Sequence, residues 1–166
     1  AHVEPKPDTF DWSLMDECIA TWASLGKRIH LRFSTEDFNI IPGCPRWLFD
    51  MGVPATKREH RLFPDYTHPL YLERLGKFLA AFAEKFAQDP RIETVNLQGY
   101  GDFGEWHSGA DYETVEMRVK ALRGIVDQWR KAFAGKKILN LSCSYEWMTR
   151  HNVGMDVHPL GTSIYE

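Results

Sequence analysis

Asp89-Pro90-Arg91, then Ile92-Glu93-Thr94-Val95-Asn96-Leu97, then Gly99-Tyr100-Gly101-Asp102-Phe103-Gly104-Glu105-Trp106-His107: the fold of this chain turns on how these residues are read. A proline stop, a short apolar strand and a glycine-loosened loop follow one another, and the loop ends in a carboxylate set among aromatic rings and an imidazole. Two architectures use such a strand and loop. Gly99, Gly101 and Gly104 spell the G-x-G-x-x-G spacing of a dinucleotide-binding turn, which needs a helix opening at the glycines to face pyrophosphate. Asp102 and Glu105 would put negative charge where phosphate must sit, and Ser108-Gly109 interrupts the chain before a helix near Asp111. No strand ending in an acidic residue lies about 20 residues on, as that turn requires. The second architecture is a parallel β/α protein with an acid/base carboxylate just beyond the carboxyl end of a strand. There Trp106 offers a flat apolar face and Glu105 a proton, a pairing suited to a sugar ring and its glycosidic oxygen.

Working outward, three helices and three strands alternate. Leu14, Cys18, Trp22 and Leu25 predict one helical face, with Ser13 and Asp16 as a capping box and Gly26 at its end. A second helix opens at Pro69, carries Leu72, Leu75, Leu79, Phe82 and Phe86, and stops at Asp89-Pro90. A third starts near Asp111 and runs through Val115, Val119, Leu122, Val126, Trp129 and Phe133 to Gly135. Strands are expected from Arg28 to Phe33, Ile92 to Leu97 and Lys137 to Leu141. Helix-to-strand links are short and strand-to-helix loops long, the asymmetry of a parallel β/α protein whose function lies on one face. The longest loop, Ser34 to His68, holds Trp47 and Phe49 and is expected to be an ordered lid or cleft wall.

The predicted fold class is therefore α/β: part of a parallel (β/α) barrel, about strands 3 to 6 of its eight. Residues 1–166 read as a single domain, the central part of that barrel, and Val3 to Asp11 as a loop leaving an earlier strand. The remainder of the barrel is expected from the same parent chain. A small three- or four-stranded α/β module is the alternative.

Bulk composition excludes several partners. Hydrophobic residues make up 43% and charged residues 26% of the 166, and the net charge is −3, so there is no basic footprint for nucleic acid. No apolar run has the length of a membrane span. Cys18, Cys44 and Cys143 lie far apart without C-x-x-C spacing, and Cys18 and Cys143 are expected as buried thiols. Six tryptophans and 13% aromatic residues stand out. Many fall at loops or segment ends, where both a carbohydrate cleft and simple loop anchoring would put them.

The chain resembles a known group at two motifs. Glu4-Pro5 with Phe10-Asp11-Trp12-Ser13 and Asp16 is similar to the segment after the second strand in barrel glycoside hydrolases of the clan that contains β-galactosidases and agarases. Gly104-Glu105-Trp106-His107 resembles the motif after the fourth strand in glycosidase-like barrels of that group. The resemblance implies hydrolysis of O-glycosidic bonds by a retaining mechanism. Glu105 would act as general acid/base, and a second carboxylate about 5 Å away, from a seventh strand outside this chain, would be the nucleophile. Where the clan usually has Asn before that Glu, this chain has Gly104. A barrel that binds carbohydrate without cleaving it is the alternative.

Other candidates follow from position. Arg32, alternating with Leu31 and Phe33, either binds a substrate hydroxyl or pairs with a neighbouring strand. Glu36 and Asp37 read as loop charges. Glu146 stands past the last strand and rivals Glu105 for a place at the site. Trp47, Tyr100 and Trp106 are candidate sugar-stacking rings, and His107 a partner that orients Glu105 or binds a hydroxyl. His107, His151 and His158 with Asp156 invite a metal reading, but no H-x-x-x-H or H-E-x-x-H spacing supports it. Neither a metal nor a cofactor is expected, and the expected partner is a carbohydrate substrate.

Overall fold

The computed structural model describes residues 3–32, 44–58, 61–101, 104, 112, 114–134 and 138–140. In chain order the elements are α1 (Ser13–Ser24), β1 (Ile29–Leu31), α2 (Arg46–Asp50), β2 (Ala55–Arg58), β3 (Arg61–Pro64), α3 (Pro69–Phe86), β4 (Ile92–Asn96), α4 (Val115–Ala132) and β5 (Ile138–Asn140). Strands β1, β4 and β5 form one sheet in that order, and both pairings are parallel. Leu31 stands opposite Val95, and Val95 opposite Leu139. This is the layout of successive β/α units, and no barrel closes among the described residues.

The helices form where the apolar spacing and the end signals agree. Pro69 takes the first helical position of α3, where its missing N–H is no loss. The Thr114 side chain caps α4 by accepting from the Met117 N–H at 3.2 Å. That cap puts the start of α4 a turn later than the expected Asp111, which lies outside the described residues. The two helices pack on each other, and the small Gly124 allows close approach: a Cβ there would stand 3.0 Å from Leu72 Cδ1. Leu75, Leu79, Phe82 and Phe86 from α3 join Leu122, Ile125, Val126 and Trp129 from α4 over Ile92, Val95 and Leu97 to make the core. The Trp129 indole donates to the Gln98 carbonyl at 2.7 Å, satisfying a buried backbone acceptor where the β4 ladder runs out.

The first helix corrects the sequence reading. Leu14, Trp22 and Leu25 are 65%, 55% and 62% exposed and Cys18 is exposed too, whereas Ile19 is buried to 2%. The cause lies in the preceding segment. Trp12 stacks on Phe10 with ring centres 5.5 Å apart and packs against Phe78, Phe82 and Phe86 of α3. That docking turns Met15 and Ile19 to the core and leaves the adjacent apolar stripe outward. The capping box is absent because the helix starts at Ser13 itself, one position too early for Ser13 to be its cap. Asp11 Oδ1 instead accepts from the Ser13 N–H at 3.0 Å and its hydroxyl at 2.6 Å.

The long loop is also more regular than expected. It contains α2 and an antiparallel hairpin in which Thr56 faces Phe63 and Ala55 faces Pro64. Glu59-His60 between the strands is none of the Gly-containing pairs that signal such a turn.

The inward face of α1 is directly testable by urea denaturation. Ile19→Ala should cost about 2–5 kcal/mol, as truncation of a buried aliphatic does, and Leu14→Ala no more than about 0.5 kcal/mol. Equal losses would overturn the orientation.

Candidate functional site

Parallel pairing brings the carboxyl ends of β1 and β4 to one edge of the sheet. Arg32 follows β1 directly at that edge and its side chain is exposed. Below it, His30 Nδ1 and Thr94 Oγ1 are hydrogen-bonded across the strands at 2.7 Å. Past the end of β4 the Gln98 amide donates to Asn96 Oδ1, and Gln98 is fully buried. Leu31 and Val95 are buried, whereas His30 is exposed and Thr94 and Asn96 are half-buried beside them. Of these residues only Arg32 was singled out from sequence.

The loop leaving β4 is held from the hairpin side. Gly99, Gly101 and Gly104 have φ of 129°, 78° and 74°, a region closed to most residues with a Cβ. Space at Gly99 is tight as well, since a Cβ would lie 3.1 Å from Ile125 Cγ2. The Tyr71 hydroxyl donates to the Gly99 carbonyl at 3.0 Å, and the Gly101 N–H donates to the Tyr66 hydroxyl at 3.3 Å. The Tyr66 N–H donates to the Tyr112 hydroxyl at 3.0 Å, which in turn donates to Asp65 Oδ1 at 3.2 Å. Burial alone would raise the Asp65 pKa, but donation from the Thr67 N–H, the Thr67 hydroxyl and Tyr112 outweighs it and lowers the value. For Tyr112, desolvation and the facing Asp65 charge push the phenol far above its ordinary range.

A second anchor ties the N-terminal segment to α3. Arg74, 4% exposed, bonds Glu4 Oε1 at 2.8 Å and Asp8 Oδ2 at 3.0 Å. Its guanidinium lies 5.1 Å from the centre of the Trp47 ring, and the Trp47 indole donates to the Glu4 carbonyl at 3.1 Å. Glu4, the first residue of one motif, therefore spends its carboxylate on a buried ion pair. Loss of either partner of such a pair is strongly destabilising, because the other is left buried and charged.

Several expectations change at this point. Tyr100 is 2% exposed, with Tyr66 4.8 Å away on one side and the Arg118 guanidinium 5.8 Å from its ring centre, so the ring has no open face for a sugar. Phe63 and Tyr66 are likewise core, and Trp47 is half-buried and engaged as described. The aromatic excess at these positions serves packing. Glu105, Trp106, His107, Glu146, Glu36 and Asp37 lie outside the described residues, as do Cys143, His151, Asp156 and His158. Among the described residues there is no group of three or more His, Cys, Asp or Glu arranged to hold a metal ion. None of the described helices is long and apolar enough to cross a membrane.

No family model matches the chain, and no curated protein matches it. Solved structures do. A β-galactosidase from the psychrophilic Marinomonas ef1 superposes with a TM-score of 0.59 over 96% of this chain at 18% identity. Endo-glycoceramidase II from Rhodococcus sp., as its lactosyl-enzyme intermediate, gives 0.53 over 84% at 18% identity. Xylanase B from Clostridium stercorarium F9 gives 0.52 over 93% at 15% identity. The fold is a parallel α/β sheet similar to part of the barrel in each of these proteins. The chain spans 35%, 38% and 48% of those three chains in the same order, so the parallel sheet here matches one portion of each.

The Asp65 network generates a pH signature. A carboxyl whose folded pKa lies below its ordinary value of 3.8 adds stability that is complete above that value and is lost as pH falls through the lower folded one. Asp65→Asn should therefore lower the melting temperature at pH 7, with the gap to wild type closing as the pH is taken below about 4. A gap that stays constant down to pH 2 would remove the charged network as its source.

Proposed function

We propose that the chain is the central part of a glycoside hydrolase that cleaves O-glycosidic bonds of an oligo- or polysaccharide by a retaining mechanism, with Glu105 as general acid/base. One observation carries the reading: the sheet is parallel and similar in fold to part of three glycoside hydrolases, and in the sequence Gly104-Glu105-Trp106-His107 follows its middle strand. The carboxyl ends of the strands are where β/α barrels assemble their sites. One of the similar structures is an endo-glycoceramidase as its lactosyl-enzyme intermediate, and a glycosyl-enzyme species is what a retaining course would form here.

In this reading Glu105 protonates the departing oxygen and later takes a proton from the attacking water. Trp106 stacks on the apolar face of the sugar, and His107 orients Glu105 or holds a hydroxyl. Arg32 and Glu146 bind substrate hydroxyls from the neighbouring strand ends. Tyr100 and Trp47 are given scaffold roles, since their rings are already covered or engaged. The nucleophile comes from the rest of the barrel. Gly104, in the place of the usual Asn, favours a second reading in which the barrel binds carbohydrate without cleaving it.

Glu105→Gln in the full-length protein separates the two. The variant keeps the shape of the side chain and removes its transferable proton, so turnover of an unactivated oligosaccharide should fall about 10²–10⁴-fold with binding retained. The loss should be much smaller on an activated aryl glycoside, whose leaving group needs little protonation. Equal turnover of wild type and variant on the oligosaccharide would remove Glu105 from catalysis.

A further inference from the structure

The hydroxyls of Tyr66, Tyr71 and Tyr112 converge on the loop that leads from β4 to Glu105 or on the residues that brace it. Phenylalanine would fill the same space. A buried phenol oxygen is costly unless bonded, so the bonded hydroxyls of buried Tyr66 and Tyr71, with that of half-buried Tyr112, call for a reason beyond packing. Tyr66 is fully buried, its ring 5.4 Å from Tyr71 and 4.8 Å from Tyr100. Its hydroxyl accepts from the Gly101 N–H, while Tyr71 donates to the Gly99 carbonyl two residues earlier. The two bonds fix both sides of the Tyr100 peptide pair in a loop whose glycines would otherwise make it the most pliable part of the edge. The Gly104 N–H then closes back on the Gly101 carbonyl at 2.9 Å, one residue before Glu105. Behind Tyr66, its own N–H is held by Tyr112, and Tyr112 by Asp65, which the Thr67 N–H and hydroxyl hold at 2.9 and 2.8 Å.

We infer that Tyr66, braced by Tyr112 and Asp65, is a positioning residue: it fixes the backbone of the Gly99–Gly101 turn, from which the chain runs on to Glu105, and acts on the reaction through that residue. The inference rests on the glycoside hydrolase reading above. It gives the hairpin segment after β1 a purpose other than a lid. That segment buttresses the acid/base loop from behind, and Asp65-Tyr66-Thr67 is its point of contact.

The test uses the full-length protein and a series of aryl β-D-galactosides, glucosides and xylosides with phenol leaving groups of graded acidity, continuing with the sugar that wild type turns over fastest. Tyr66→Phe keeps the ring and deletes the acceptor for Gly101. It should lower kcat for the least acidic phenols about 10- to 100-fold, with KM changed less than about twofold, because a displaced proton donor costs rate more than binding. The dependence on leaving-group acidity should steepen, and the alkaline limb of the pH–rate profile should move. Tyr112→Phe should shift the same readouts in the same direction, and it carries the test should Tyr66→Phe fail to fold. Ile19→Val, a core change remote from the loop, should lower the melting temperature and alter neither readout. Phenylalanine variants with wild-type leaving-group dependence and pH profile, alongside an impaired Glu105→Gln, would overturn the inference alone. Full turnover by Glu105→Gln would overturn the underlying assignment, and the inference with it.

Discussion

Burial of β4 is the constraint from which the other placements follow. A middle strand of a parallel sheet has neighbours on both edges and must have its apolar side covered. Ile92, Val95 and Leu97 are covered by α3 and α4, and Trp129 both fills the layer and bonds the Gln98 carbonyl as the strand ends. That bond gives a buried carbonyl at the start of the glycine loop a donor, a contribution of about 0.5–1.5 kcal/mol for a typical bond of this kind. With it, the strand terminates at a defined residue and the glycine loop departs from a fixed point.

From that point two anchors radiate. On one side the aromatic run from Phe10 and Trp12 over Phe78, Phe82 and Phe86, reinforced by Arg74 with Glu4 and Asp8, binds the N-terminal segment to α3. On the other, the tyrosine and Asp65 network binds the hairpin segment to the loop after β4. The residues that make the motifs recognisable in sequence divide accordingly. Phe10, Asp11, Trp12 and Glu4 are engaged in packing, a local turn bond to Ser13 and ion pairing, whereas Arg32 stands exposed at the carboxyl edge of the sheet. Motif residues of this kind report the scaffold as much as the chemistry.

Much of the scaffold was legible because local rules and burial agreed. The 3.6-residue spacing of Leu72, Leu75, Leu79, Phe82 and Phe86 and the proline at each end outlined α3, and the short links into β4 and β5 implied parallel strands. The candidate site was legible only in part. The glycines of the loop after β4 could be read, but the burial of Tyr100 and the engagement of Trp47 could not, since an aromatic in a loop is equally suited to a sugar and to a core.

Sequence by itself determined the order of elements, the parallel sense of the sheet and the glycines that the loop after β4 needs. Those properties depend on neighbours within a turn or two of chain. Tertiary structure alone decided which of two adjacent apolar stripes on α1 faces inward, that the segment after β1 folds into a hairpin, and that Tyr66 reaches Gly101 across 35 residues of chain. Periodicity marks a face as apolar but does not say what will cover it. A phenol oxygen carries no mark of its partner until packing brings a distant N–H within reach.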